Sequence, residues 1–282
     1  MSWYIKLSIL AVIFGFGRMS ASIIEPKEPG LLEVTYHKVW TYDTTAREAN
    51  KVFSEDMKLR VGATSAMFYP PKKLYYDSLL TNNFEMAEEL HRAMNPQGQK
   101  FYNSPGGHES EYVFRNVREG KTLVYNKIGG DRGYYLEDTE KPEWEILDET
   151  KNIMGYECIA AKCRFRGREW TAWFTPEIPV KEGPWKLYGL PGLILEAYDT
   201  HHDYSFTATG LTDKNVPEVG IFIYTNSDPF VYRSRINVLK RQNKEELQGN
   251  YVNRMQATYG KPGTTTKHRS RYDLAETDYP HD

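Results

Sequence analysis

Residues 168–199 read REWTAWFTPEIPVKEGPWKLYGLPGLILEAYD, and this stretch decides the fold. Trp170, Ala172 and Phe174 recur at every second position, which is the period of a pleated β-strand. A second, mostly apolar run follows at residues 193–198. Prolines between the two runs keep the link extended and non-helical. The stretch therefore predicts two β-strands joined by a stiff connection.

The entry to the second strand is also predicted. Leu190-Pro191-Gly192-Leu193 is typical of a type II turn, because Pro presets φ at the second position and Gly takes the positive φ required at the third. We therefore expect the strand to begin at about Leu193. Its odd-numbered residues are expected on one face and its even-numbered residues on the other.

One hairpin register can be derived residue by residue. If Arg166-Gly167 is a two-residue turn, the numbers of facing residues sum to 333, so Cys163 faces Trp170. This register makes one face almost wholly apolar, and a slip by one residue would mix the two faces. Cys158 and Cys163 then lie about 16 Å apart on opposite faces of one strand, too far for a disulfide.

Further runs of alternating or β-branched residues raise the count to about ten strands, mostly in consecutive hairpins. A helix is predicted at residues 83–94, with Asn82 as its cap and Glu85 completing a capping box. A second amphipathic pattern occupies residues 244–255. These elements predict a large, strongly curved antiparallel sheet or partial barrel with one or two helices packed on it. A two-layer β-sandwich is the alternative.

The N-terminus predicts export. Residues 7–16 form a short apolar core that follows Lys6, and small residues lie at 20–22, as in a signal peptide. Ten apolar residues are too few for the roughly 20 needed to span a bilayer. The predicted organisation is a signal peptide at 1–22, an antiparallel β domain at 23–235, and a C-terminal helix with a mobile tail at 236–282. The mature protein is expected to be soluble in the periplasm or outside the cell, with no transmembrane segment.

The composition of the chain limits the classes of binding partner that are expected. The formal net charge is −2, which argues against nucleic acid or an anionic membrane surface. Aromatic residues make up 14% of the chain, which favours β structure. An envelope protein or a polymeric or hydrophobic ligand is the expected partner.

Three sequence words carry a resemblance to a known family. W-x-x-W-F-T-P-E-I-P, G-P-W-K and G-L-P-G-L-I-L-E resemble the GLPGLI family of exported Gram-negative bacterial proteins, named after the residues that stand here at 189–194. Residues 144–151 and 155–158 extend the resemblance upstream. The resemblance implies an exported protein. It supplies no catalytic residues, because the family has no assigned activity.

No cofactor or metal is predicted, because neither spaced Cys/His ligands nor H-E-x-x-H nor G-x-S-x-G occurs. The catalytic residues, if any, are unknown. The candidate ligand-binding residues are carboxylates and aromatics in or beside the deciding stretch: Trp173, Glu177, Trp185, Glu196, Tyr198 and Asp199. Aromatic rings on a curved sheet suit a sugar ring or a peptide, unless a helix covers them. For Glu196, the competing interpretation is a cross-strand ion pair.

The hairpin tip Asp199-Thr200-His201-His202-Asp203 places two histidines beside carboxylates. Imidazole and carboxylate suit Zn²⁺ or Cu²⁺. Adjacent histidines on a strand point apart, however, and short polar residues are typical of any exposed turn. A solvated turn is therefore the favoured interpretation, and no metal ligands are predicted.

Two functional hypotheses follow. The first is a non-catalytic cell-envelope binding or assembly module that holds a ligand or partner protein in the concave face of the sheet. The second is an exported hydrolase with carboxylate and histidine catalysis in the same concavity. Carboxylates and a histidine within hydrogen-bond reach of one another would favour the hydrolase, whereas an aromatic-lined groove without them would favour binding.

Overall fold

The computed structural model describes residues 23–44, 52–95, 105–116, 119–128, 131–223, 230–247, 270 and 273–280. The predicted signal peptide at 1–22 lies outside these residues, as does most of the helix predicted at 244–255. Within the described ranges, no helix is both long and apolar enough to cross a membrane.

These ranges hold fourteen strands and three α-helices. The strands are β1 (Ile23–Glu28), β2 (Leu32–Thr41), β3 (Val52–Val61), β4 (Ser65–Tyr69), β5 (Tyr112–Asn116), β6 (Lys121–Ile128), β7 (Asp131–Asp138), β8 (Glu145–Ile153), β9 (Tyr156–Phe165), β10 (Arg168–Thr175), β11 (Leu193–Asp199), β12 (Tyr204–Thr212), β13 (Val219–Ile223) and β14 (Phe230–Val231). The helices are α1 (Pro71–Asn82), α2 (Phe84–Met94) and α3 (Arg235–Gln242), the last continued by a π-helical turn at Asn243–Leu247.

Twelve strands form one open sheet in the order β14-β7-β6-β5-β4-β3-β2-β12-β11-β10-β9-β8. All neighbours are antiparallel except β14, which runs parallel to β7 at one edge. Strands β1 and β13 form a separate antiparallel ribbon. The predicted fold class, a large antiparallel sheet with helices packed on it, is confirmed.

Contacts across the sheet show how strongly it curves. Phe68 on β4 and Phe206 on β12 are three strand positions apart, which is about 14 Å in a flat sheet. Their ring centroids nevertheless lie 5.9 Å apart. At the extremes of the sheet, Arg166 in the β9–β10 turn donates to Glu137 on β7 at 3.1 Å. The face that carries Phe206 is therefore the concave face.

Each face of the sheet has its own core. The concave face buries Tyr36, Leu59, Trp170 and Phe206 in the main hydrophobic cluster. The convex face of β4 to β6 carries a smaller cluster that packs against Leu74 of α1 and Val219 of β13; its sheet residues are Met67, Tyr69, Tyr112, Phe114, Leu123 and Tyr125. The concave face is thus lined by strands that are far apart in sequence.

The derived hairpin register is confirmed. β9 pairs with β10 so that Cys163 faces Trp170, and every other pair also sums to 333. The turn residues Arg166 and Gly167 have φ values of 54° and 82°, as a two-residue hairpin turn requires. Both Cys158 and Cys163 are free and buried.

The predicted conformation of the Pro191-Gly192 turn is wrong. Within this part of the chain, φ is positive at Gly189 (93°) but not at Gly192. Gly192 is needed for space instead, because a Cβ there would lie 2.1 Å from the carbonyl oxygen of Thr175. A β-bulge also shifts the β10–β11 register between Trp173 and Phe174, so Ile194 faces Phe174 and the predicted odd-even alternation fails there.

Helix α2 is confirmed, although its cap is Asn83, whose side chain accepts from the Met86 N–H at 3.2 Å. Helix α1 was not predicted. Pro71 ends the preceding strand region but also begins the helix, since a first-turn proline loses no helical hydrogen bond. Residues 273–280, which fall in the predicted mobile tail, lie against the sheet, with Leu274, Glu276 and Tyr279 buried.

Candidate functional site

Residues 176–192, the crossing segment, run over the concave face between β10 and β11. Glu182 of this segment forms a buried ion pair with Arg115 of β5. Trp185 packs on Trp170 with ring centroids 5.6 Å apart. The crossing segment therefore fills the middle of the concavity with side chains from the G-P-W-K word.

Two consecutive residues of this word reach polar groups of the site. Trp185 adopts a left-handed φ of 56°, and its Nε1 donates to Glu111 Oε1 at 3.0 Å. Lys186 Nζ lies 2.6 Å from Glu276 Oε1 and 2.7 Å from Glu137 Oε1, and it donates to the Tyr135 hydroxyl at 3.0 Å. Burial alone would lower the pKa of Lys186, but the anions around it raise the pKa instead.

The C-terminal segment, residues 273–280, is held by the same motif region. Arg168 donates from Nη2 to the Leu274 carbonyl at 2.6 Å and from Nε to the Ala275 carbonyl at 3.1 Å. Its Nη1 donates to Asp199 Oδ2 at 2.7 Å. One buried guanidinium thus ties β10, β11 and the C-terminal segment together.

A cavity of about 300 Å³ opens where these parts meet. Its floor consists of polar groups of the sheet and of the segment before β5: Lys38, Glu109, Ser110, Glu111 and Asn126. Its rim is aromatic: Trp40, Tyr42, Phe53 and His108. The C-terminal segment and α3 form the remaining wall with Val238, Leu239, Gln242 and Asp273 to Glu276.

The Glu109 carboxylate is fully engaged. Lys38 Nζ donates to its Oε2. The N–H groups of Ser110 and Glu111 donate to its Oε1 at 2.8 and 3.0 Å. Burial alone would raise the pKa of Glu109, but Lys38 and these N–H groups outweigh it and hold the pKa below its ordinary value.

The pKa of Glu111, two residues further on, is shifted in the opposite direction. Burial raises the pKa of its carboxyl to about 7; Lys186 and Lys38 lower it, while Glu109 and Glu276 raise it further. Its two hydrogen-bond partners among the described residues are neutral donors, Trp185 and Asn126. Burial, and not these hydrogen bonds, is therefore the cause of the raised pKa of Glu111.

The rim offers exposed aromatic surface. Phe53 is the centre of this group, with ring centroids 5.6 Å from Trp40, 5.1 Å from Tyr42 and 4.7 Å from His108. Tyr42 is 39% exposed. An aromatic rim therefore stands beside a floor of hydrogen-bonding groups.

The predicted site residues do not lie together. Only Trp185 reaches the floor, through Glu111. Asp199 is buried against Arg168. The other four lie elsewhere: Trp173, Glu196 and Tyr198 on the convex face, and Glu177 in the exposed turn after β10. Glu196 forms a 2.7 Å ion pair with Lys151, the competing interpretation considered for it.

The hairpin tip also separates its groups. His201 and His202 are exposed, whereas Asp199 and Asp203 turn inward to Arg168. The residues described by the structure contain no cluster of His, Cys, Asp and Glu arranged to hold a metal ion.

None of the residues that form the floor of the cavity was predicted from the sequence as a site residue. Glu109 and Glu111 precede β5 in a polar segment, and the sequence between them and Trp185 gives no sign of contact. The one available signal was alternation, because Glu111 and Val113 share a strand face that points to the core. That signal places a carboxylate on a buried face and so marks it as unusual.

Comparison with known proteins gives a local family match. The model of a family described as "Protein of unknown function (Porph_ging)" matches residues 165–196, from the end of β9 through the crossing segment into β11. No curated protein matches the chain.

Two solved structures of a protein named PNGF-II are similar. The one in space group P21 is 16% identical with a TM-score of 0.41, covering 64% of this chain and 28% of its own. The one in space group C2 is 14% identical with a TM-score of 0.44, covering 76% of this chain and 33% of its own. The chain thus spans about a third or less of the length of these matched structures.

Stability is expected to depend on pH through Glu111. Its folded-state pKa of about 7 lies above the ordinary value of 4.5, so the folded protein binds this proton more tightly than the unfolded chain. The resulting stability is full below pH 4.5 and is lost as pH rises to about 7. The loss is up to about 3 kcal/mol. Glu109 and Glu276 have lowered pKa values, so the stability that their ionised carboxylates contribute to the protein is lost only at pH values below this window.

Urea unfolding at several pH values between 5 and 8 tests this expectation. The Glu111→Gln variant should lose the decline, whereas the exposed control Glu119→Gln should retain it. An unchanged decline in Glu111→Gln would show that Glu111 is ionised throughout.

Proposed function

We propose that the protein is a non-catalytic cell-envelope binding module that holds part of a carbohydrate chain in the cavity of the concave face. The observation that carries this proposal is the combination of an aromatic rim with a floor of carboxyl, amide, hydroxyl and ammonium groups. A sugar ring presents apolar C–H faces to aromatic rings and hydroxyl groups to polar side chains. The cavity offers both kinds of surface side by side, as a saccharide ligand requires.

The charges of the cavity support a neutral ligand. Lys38 is paired with Glu109, and Glu276 is paired with Lys186 and Arg235. Burial raises the pKa of Glu111 to about 7, so its mean negative charge near pH 7 is smaller than that of an ordinary glutamate. With these charges compensated, the floor offers directional hydrogen bonds and little net field to attract an ion.

Two features of the sequence support a cell-envelope compartment. The N-terminal signal pattern and the resemblance to the GLPGLI family both favour an exported protein, for which envelope polysaccharides are available ligands. In this interpretation the matched segment, residues 165–196, builds the interior of the site and does not itself form the ligand surface. The sequence motifs shared with the family then belong to a segment that supports the floor of the cavity from inside.

A glycan array probed with the fluorescently labelled mature protein tests the proposal. We expect binding to at least one saccharide class. Replacing Tyr42 with alanine should weaken the affinity for the best-binding glycan about three- to tenfold, since one aromatic contact contributes about 0.5–1.5 kcal/mol.

Two matched controls locate the binding surface. Tyr75→Ala removes a tyrosine that is 60% exposed on α1, away from the cavity, and should leave the affinity unchanged. Tyr198→Ala tests the convex-face residues proposed from sequence. A loss in Tyr198→Ala with none in Tyr42→Ala would move the site to the convex face, and an array without binding would reject the carbohydrate ligand.

One observation favours the second candidate, an acid-assisted hydrolase. Glu109 and Glu111 lie in one cavity with pKa values moved in opposite directions, as in pairs that divide acid and base roles. Against it, Glu109 is occupied by Lys38 and two N–H groups. Product analysis of any glycan that binds on the array decides between the two, because a hydrolase shortens the glycan and loses that activity in Glu111→Gln.

A further inference from the structure

A small apolar core near the C-terminal end of the chain is separate from the cores of the sheet. It consists of four buried side chains, Leu239, Leu247, Leu274 and Tyr279, with Ile236 packed against them. All five residues belong to α3, to the π-helical turn or to the C-terminal segment. These three parts, the C-terminal unit, therefore bury apolar surface against one another.

Ion pairs within the C-terminal unit add to its cohesion. Arg235 of α3 donates from Nη1 to Glu276 Oε2 and to Asp278 Oδ1, both at 2.7 Å. Its Nη2 donates to Asp278 Oδ2 at 3.0 Å. One guanidinium thus ties the start of α3 to the C-terminal segment, so we expect the helix and the segment to move together.

Polar groups make many of the contacts between the C-terminal unit and the rest of the protein. Thr277 donates from its N–H to the Arg166 carbonyl oxygen and from its hydroxyl to the Gly167 carbonyl oxygen, both at 3.0 Å. The Tyr204 hydroxyl donates to the Asp273 carbonyl at 2.5 Å. Water can replace such bonds when the two surfaces separate, so their loss costs less than the exposure of an apolar core.

The apolar attachment of α3 to the sheet is small. Val238 packs against Val124, Ile128 and Tyr135 of β6 and β7. The next residue, Leu239, belongs instead to the core of the C-terminal unit. Separation along this interface exposes Val238 and its neighbours on the sheet and leaves the core of the unit intact.

The C-terminal unit also forms a wall of the cavity, which it lines with Val238, Leu239, Gln242 and Asp273 to Glu276. We propose that this unit is a lid that opens and closes on the cavity as one body. The structure shows the closed lid, with a cavity of about 300 Å³. Opening removes one wall, so that a larger part of a ligand can enter. This inference goes beyond the proposed function and does not depend on the ligand being a carbohydrate.

Thiol labelling of the full mature chain with iodoacetamide measures the opening of the lid. Val238→Cys places a thiol between the lid and the sheet, whereas Leu247→Cys places one inside the lid. The native Cys158 is fully buried in the sheet and reports on opening of the sheet itself. After correction for the rates in the urea-unfolded chain, the thiol of Val238→Cys should react at least about tenfold faster than the other two.

A second substitution tests whether the lid moves as one body. Thr277→Val removes a hydrogen bond to Gly167 in the β9–β10 turn, whereas Val238 contacts β6 and β7. Because both residues belong to one lid, Thr277→Val should speed labelling of the Val238→Cys thiol about two- to tenfold. The control Val34→Ala removes methyl groups from the core on β2 and should leave this labelling unchanged, since the sheet stays folded when the lid opens.

The Thr277 amide gives a second measurement, in the unmodified protein. Its N–H bonds to the Arg166 carbonyl across the lid interface, so it should exchange with solvent deuterium faster than the amides of β10. Exchange as slow as that of β10, together with equal labelling of Val238→Cys and Leu247→Cys, would overturn the lid. Opening seen by only one of the two measurements, or labelling that Thr277→Val does not alter, would overturn its movement as one body.

Discussion

Replacing Arg168 with methionine is expected to lower the free energy of unfolding by about 3–5 kcal/mol. The guanidinium is buried and donates to Asp199 at 2.7 Å and to two carbonyl groups of the C-terminal segment. Methionine fills most of the volume but leaves Asp199 as a buried charge without its cation. The free carbonyl groups of Leu274 and Ala275 add the cost of unsatisfied acceptors.

Urea unfolding of Arg168→Met measures this effect against Arg164→Met. Arg164 lies on β9, exposed and opposite Glu169, so its loss should change stability by less than about 1 kcal/mol. Equal effects in the two variants would mean that Arg168 does not hold the C-terminal segment. The wall of the cavity would then need another explanation.

Replacing Gly192 with alanine is expected to destabilise the protein by about 2–3 kcal/mol. The added Cβ would lie 2.1 Å from the Thr175 carbonyl oxygen and 3.0 Å from the Pro176 Cα. Both obstacles belong to the backbone, so the entry of β11 must move away from the end of β10. The crossing segment that carries Trp185 moves with it.

Gly210→Ala is the matched control for this substitution. Gly210 lies on β12 without a positive φ, and a Cβ there would lie 3.8 Å from its nearest neighbour, the Thr35 side chain. Alanine there should be neutral within about 0.5 kcal/mol. A thermal unfolding comparison in which the two variants behave alike would contradict the close approach of β10 and β11.

Local parts of the fold were predictable because their partners are adjacent in sequence. The β9–β10 register follows from one turn and from the separation of apolar and polar residues onto opposite faces. Helix α2 follows from its apolar spacing and cap. Helix α1 has neither a clear amphipathic pattern nor a side-chain cap, and for that reason sequence reasoning passed over it.

The site was not predictable in the same way. Glu111 and Trp185 are 74 residues apart, and Lys186 and Glu276 are 90 apart, so their contacts depend on the curvature of the whole sheet. The deciding stretch was expected to carry the ligand residues. This stretch instead carries Trp185, which supports the floor, and Arg168, which holds the C-terminal segment. Charged side chains in a buried stretch need partners inside the protein, so they are used for structural contacts.

The indole region of the ¹⁵N–¹H spectrum, recorded during titration with the best-binding glycan of the array, shows most directly whether the ligand enters the concave-face cavity. Trp40 lies in the rim and Trp185 contacts the floor, so their resonances are expected to shift in a saturable way. Trp173 on the convex face and Trp144, which donates to the Tyr188 carbonyl, should stay in place. Shifts at Trp173 or Trp144 with none at Trp40 and Trp185 would contradict the cavity as the ligand site.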